Sequence, residues 1–137
     1  MSLVIDAPIN TVWAALADWE SQGEWMLQTT VEVTSDIREG VGTSIAAFTG
    51  VGKLGIMDHM TVTSWNPPTI CDVVHTGAII KGTGRFELTA LSENSTHFDW
   101  SEEILAPRAI FLLIAPGLYA GVRISLSALR RQLQQRK

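Results

Sequence analysis

The sequence predicts an α+β domain: a curved antiparallel β-sheet of six to seven strands wrapped around one long C-terminal α-helix, with two short helices after the first strand. Three observations predict it. Successive β-prone runs with an apolar/polar alternation fill residues 29–105 and are separated by turn residues. From Pro107 onward the apolar period changes from two to 3.6, with Val122, Leu126, Leu129 and Leu133 forming one seam and charges and glutamines opposite. Strands in series followed by a helix place that helix on one face of an antiparallel sheet.

Taken in order, Leu3-Val4-Ile5 is a short strand ended by Asp6-Ala7-Pro8. Asp6-x-Pro8 followed by Val12, Trp13 and Leu16 reads as a helix start with an apolar stripe. Residues 18–25, with Trp19 and Trp25, form a second short helix or turn. A strand over 29–37 places Val31, Val33 and Ile37 on one face, and Arg38-Glu39-Gly40 turns the chain. Strands follow over 43–49 and 54–65, joined by the Gly50-Val51-Gly52-Lys53 loop. Asn66-Pro67-Pro68-Thr69 is a turn, and strands over 70–76, 82–91 and 96–105 complete the sheet. The final helix is expected to kink near Pro116.

Length and composition fit a single domain spanning 1–137. Charged residues make up 18%, below the usual quarter, and mean hydropathy is +0.18. Five Trp, four Phe and four Met supply the large and adaptable apolar groups that a lined cavity needs. A net charge of −4 and a pI near 5.2 argue against a nucleic-acid partner. The basic cluster Arg130, Arg131, Arg136 and Lys137 suits a helix C-terminus through its dipole. Cys71 is alone, and Met1-Ser2-Leu3 lacks the basic start of a signal peptide, so a cytoplasmic protein is expected. The longest apolar stretch, 109–120, is interrupted by Pro116-Gly117 and is shorter than the roughly 20 residues of a membrane span.

Several groups of residues stand out in this order of elements: Ile5-Asp6-Ala7-Pro8, Val12-Trp13, Asp18-Trp19-Glu20, Glu24-Trp25 and Gly40-Val41-Gly42-Thr43, then Trp65-Asn66-Pro67-Pro68, His75-Thr76-Gly77, Gly84-Arg85-Phe86 and Trp100-Ser101-Glu102-Glu103. So placed, they resemble the helix-grip fold of the START-like (SRPBCC) superfamily. Within it, the sequence is similar to the polyketide cyclase/dehydrase and lipid-transport group. The likeness covers essentially the whole chain, with an opening strand shorter than is usual for the group. It implies a helix held away from the concave face of the sheet, so that part of this surface lines a void for a lipid, sterol, polyketide or similar molecule.

Strand alternation assigns side chains to that face. A four-residue loop at 66–69 would pair Trp65 with Ile70, Met60 with His75 and Val62 with Val73, bringing Asp58 diagonally to His75. Phe98, Trp100 and Ile104 facing inward carry Glu102 inward too, opposite Gly84 or Phe86. The candidate catalytic residues are therefore Asp58, His75 and Glu102, three ionisable groups on an otherwise apolar face. An unpaired buried charge is costly, so each must be paired, hydrogen-bonded or shifted in pKa. On a purely structural reading Asp58 and His75 satisfy each other while Glu102 caps backbone or faces a water-filled mouth. On a functional one the three orient a ligand's polar end or act as general acid and base. The ligand-lining set is Trp25, Phe48, Met60, Val73, His75, Phe86, Trp100 and Glu102 from the sheet side, and Phe111, Leu112, Ala115, Leu118 and Tyr119 from the helix. The aromatic and Met residues among them are equally compatible with plain core.

Other signals fail on context. Gly50-x-Gly52-x-x-Gly55 matches a dinucleotide fingerprint, but a strand follows it where a helix N-terminus is needed. His59 and His97 point outward, so no metal site is expected, and no cofactor. Cys71 lies about 13 Å along its strand from His75, too far for a dyad. Three functions remain: binding of a hydrophobic small molecule (polyketide, isoprenoid or lipid-like), a cyclase, dehydratase or isomerase acting through the pocket acids and His75, and a protein-interaction or quinone-chaperone module like the coenzyme Q-binding relatives. The expected partner is a hydrophobic small molecule, with a homodimer as an option.

Overall fold

The computed structural model describes residues 1–51, 54–77, 80–105 and 108–135, with 108–119 and 135 as backbone only. The elements run β1 (Ser2–Ile5), α1 (Ile9–Ala17), a 3₁₀ turn (Trp19–Glu24), β2 (Thr29–Val33), β3 (Ser44–Val51), β4 (Leu54–Asn66), β5 (Ile70–Thr76), β6 (Lys81–Ser92), β7 (Ser95–Leu105) and α2 (Arg108–Gln135). All seven strands join one curled sheet in the order β1-β7-β6-β5-β4-β3-β2. Strands β2 to β7 form an antiparallel meander, and β1 pairs with β7 at the far edge.

Local chemistry sets the boundaries. Pro8 supplies a fixed extended φ before α1, and its carbonyl accepts from the N–H groups of Thr11 and Val12. The helix ends at Asp18, and the buried Gln22 side chain donates to the Leu16 carbonyl (2.7 Å), so a helix-end acceptor does not go unpaired. Strand β2 is shorter than the expected 29–37. Its ladder stops at Val33 because Ser35 diverts the chain, accepting from the Ser44 N–H and donating to the Ile37 carbonyl. Ile37 is thereby 53% exposed. Gly50 and Val51, expected in a loop, extend β3, and Gly52 and Lys53 lie outside the described residues. Gly50 pairs with Gly55 inside the β3–β4 ladder, and a Cβ on Gly50 would come within 2.2 Å of the Leu54 carbonyl oxygen.

One face of the sheet is buried. Its closed part holds Ile5, Leu88 and Phe98 against Val12 and Leu16 of α1 and Leu126, Leu129 and Leu133 of α2, the last three being the seam expected from the sequence. A second cluster joins Val31, Val33, Ile45, Ala47, Val62 and Cys71 to Trp19. Phe98 is wholly buried, its ring 5.4 Å from that of Phe86. Phe98→Ala is expected to lower the unfolding free energy by about 3–5 kcal/mol in urea titration, the usual cost of emptying such a site. A loss below about 1 kcal/mol would show that this cluster is not the closed core.

Candidate functional site

Cross-strand pairing fixes which side chains share the inner face. From β7 to β3 it presents Phe98, Trp100 and Glu102, then Phe86, Gly84 and Gly82, then Cys71, Val73 and His75, then Val62, Met60 and Asp58, and finally Ile45 and Ala47. Met60 stands directly opposite His75 and Val62 opposite Val73, as the alternation predicts. The loop, however, pairs Asn66 with Ile70 and Trp65 with Cys71. The register shift between Val62 and Ser64 leaves Thr63 as an extra residue on β4, and this one-residue bulge turns Trp65 to the inner face.

His75 occupies the centre, its side chain 3% exposed. Its Nδ1–H donates to Asp58 Oδ1 at 2.8 Å and its Nε2–H to Glu102 Oε2 at 2.7 Å. The Trp100 indole N–H donates to the other Glu102 oxygen at 2.8 Å. Glu102 reaches His75 across the whole of β6, although alternate strands lie about 9–10 Å apart. Gly84, opposite Glu102, makes this possible, while Gly82 stands opposite His75. A Cβ on Gly84 would lie 2.6 Å from Glu102 Oε2, so the carboxylate occupies the space that a side chain there would fill. Gly82 has φ +125°, and a Cβ on it would come within 1.8 Å of the Glu103 carbonyl oxygen.

Burial alone would depress the His75 pKa, yet hydrogen bonds to Asp58 and Glu102 and their two negative charges outweigh it and raise it from 6.5 to about 10. His75 is thus an imidazolium at neutral pH with both N–H groups engaged, and the trio carries a formal charge of −1. The side chains of Asp58 and Glu102 are 22% and 27% exposed, so the anions face the open part of the inner face while the cation lies beneath. Glu102 therefore does more than cap backbone or face a mouth: its reach over Gly84 places it on His75. Among the described residues, no group of His, Cys, Asp and Glu is arranged to hold a metal ion.

Further along the inner face runs a narrow apolar cleft, too tight to admit a water molecule. It is lined by Trp13, Leu16, Ala17, Trp19, Trp65, Cys71 and Phe86. Trp13 packs edge-on against Trp65 at 5.1 Å, and Phe86 edge-on against Trp100 at 5.2 Å, which links cleft to trio. Burial, aided by the charge of Asp72, pushes the Cys71 thiol up to about 12, so it stays protonated and inert.

The chain matches the model of the family described as polyketide cyclase/dehydrase and lipid transport over residues 1–134. It belongs to that family. No curated protein matches it. Among solved structures, a START superfamily protein from Mycobacterium smegmatis superposes with TM-score 0.75 at 14% identity, covering 100% of this chain and 97% of that one. The Zhui aromatase/cyclase from Streptomyces sp. R1128 gives 0.73 at 17%, covering 99% and 92%. Protein CV1439 from Chromobacterium violaceum gives 0.75 at 16%, covering 97% and 94%. At such identities the likeness is one of fold.

In this family member the structure brings together Asp58, His75 and Glu102, with Met60, Val73, Phe86 and Trp100 around them, each of these four only partly buried. Two expected lining residues stand elsewhere. Phe48 pairs with Met57 on the outer face, because β3 turns its odd positions inward, and its ring lies over Gly55. Trp25 is 4% exposed in the closed core by Val12 and Leu129. Phe111, Leu112, Ala115, Leu118 and Tyr119 fall on α2, where the described residues give backbone only, so their side chains and the helix wall of the pocket lie outside them. Helix α2 runs through Pro116-Gly117. The sequence reading missed Gly82, the cleft aromatics Trp13 and Trp65, and the Trp100 bond to Glu102. The last was legible, since residues two apart on a strand share a face.

Proposed function

We propose that this protein binds a hydrophobic small molecule against the inner face, with its apolar body on Met60, Val73, Phe86 and Trp100 and its polar end at Asp58 and Glu102. The observation that carries this reading is a buried imidazolium clamped between two partly exposed carboxylates on an otherwise apolar face. Such a clamp fixes both carboxylates in place while leaving acceptor capacity open towards the ligand. Membership of a family described by lipid transport as well as cyclisation supports it.

A cyclase- or dehydratase-type reaction is the second reading, favoured by one detail. Asp58 Oδ2 has no hydrogen-bond partner among the described residues and stands next to an apolar surface, where it could take a proton from a bound substrate. His75 does not serve as the base in that reaction, because both of its nitrogens already carry protons.

Uptake of the hydrocarbon dye diphenylhexatriene, followed by its fluorescence, tests the binding reading. Wild type takes up the dye, and Val73→Trp, which fills the inner face beside Gly84, weakens uptake by at least about tenfold with circular dichroism unchanged. Equal uptake by a folded Val73→Trp variant would overturn the assignment of this face. Proton transfer by Asp58 instead predicts that Asp58→Asn keeps dye affinity and loses turnover by a factor of about 10² or more.

A further inference from the structure

Resting on the binding reading, we infer that the ligand's polar end is a hydrogen-bond donor, with a protonated amine preferred to a hydroxyl and anionic head groups rejected. The donors at the trio are already spent: both N–H groups of His75 and the indole N–H of the adjoining Trp100 point at carboxylate oxygens. Among the described residues, what remains open to a ligand there is acceptor capacity, on Asp58 and on the exposed side of Glu102. A carboxylate or phosphate head group placed there would meet two anions and, among the described residues, no open donor. A hydroxyl would donate to one of them, and an ammonium would also offset the residual negative charge.

The surroundings reinforce this. Among the described residues, the strands contribute no other charged side chain to the inner face. Lys81 and Arg85 fall on the outer face, where Arg85 is bound by Asp72 at 2.7 and 3.0 Å and lies near Glu87 at 3.6 Å. Trp100 and Phe86 set two aromatic rings beside Glu102, surfaces that attract a cation and not an anion.

Displacement of diphenylhexatriene from the wild-type protein by decylamine, decanol and decanoate, at pH 7 and below their micellar concentrations, tests the inference without any variant. Decylamine is expected to bind most tightly and decanoate at least about 30-fold more weakly, since exchanging an attractive for a repulsive charge contact at a partly exposed site amounts to about 2 kcal/mol. Asp58→Asn should bring the amine and the acid closer together. Decanoate binding as tightly as decylamine, or an unchanged ratio in a folded Asp58→Asn protein, overturns the head-group preference alone. Failure of the wild type to take up the dye at all overturns the binding reading, and the preference with it.

Discussion

Replacing His75 with leucine is expected to cost about 2–4 kcal/mol of stability at pH 7, because it leaves two carboxylates facing each other across a desolvated gap. The imidazolium now bridges them with two charge-assisted hydrogen bonds. Without it, the repulsion is relieved only by a proton shared between the acids, so the variant should regain stability as pH falls into the carboxylate range. In wild type the pH dependence lies instead at higher pH. Below about 6.5 the histidine is charged in both folded and unfolded chains, and its contribution is fully present. Between 6.5 and about 10 only the folded chain keeps the proton, so stability declines as pH rises, and above about 10 the contribution is gone. Urea titrations of both proteins at pH 5, 7 and 9.5 check this. A histidine variant as stable as wild type at pH 7, or a wild type unaffected between pH 7 and 9.5, would show that the clamp is not formed.

Gly84→Val should have the next largest effect, and it isolates the reach across β6. Its Cβ would sit 2.6 Å from Glu102 Oε2, so the carboxylate must leave. His75 then loses one acceptor and one neighbouring charge, and its pKa falls from about 10 towards its ordinary value. A buried N–H left without a partner adds about 1–3 kcal/mol to the loss. Imidazole proton resonances followed through a pH titration read the first change and urea midpoints the second. The effect depends on Glu102 alone, so in a Glu102→Ala background Gly84→Val should cost markedly less. Additive losses in that double-mutant cycle would point to generic strain in β6.

Much of this site was legible in the sequence because alternation is a strong constraint when one face is apolar. The pairings Met60–His75 and Val62–Val73 follow from counting along strands, which leaves Glu102 opposite Gly84 or Phe86, and the structure selects Gly84. Counting fails where the chain adds a residue without a composition signal. The turn at 66–70 is one residue tighter than expected and Thr63 absorbs the difference, so the pairs at the site end are right while Trp65 moves from one partner to another and one face to the other. Phe48 illustrates a different failure. Its run, Ser44-Ile45-Ala46-Ala47-Phe48, is apolar on both faces, and only the partner strands decide that Ile45 and Ala47 turn inward. Ile37 continued a plausible pattern that a serine side chain ended. The reach of Glu102 to His75 required knowing that its carboxylate lies over Gly84 and ends on the strand beyond, a fact of three strands at once.

The placement of β1 against β7 governs how the molecule comes together in time. Each hairpin from β2 to β7 closes locally, but Ser2 meets Asp99 across 97 positions of chain, and the first strand has no edge to join until the last has formed. Ile5, wholly buried between that edge and the helices, stays uncovered for the same interval. The long closing contact carries a large entropic barrier before it is rewarded, so refolding should be slow for a chain of this size, on the scale of milliseconds to seconds. On the ribosome, β1 is made before the other six strands and waits longest to be sheltered.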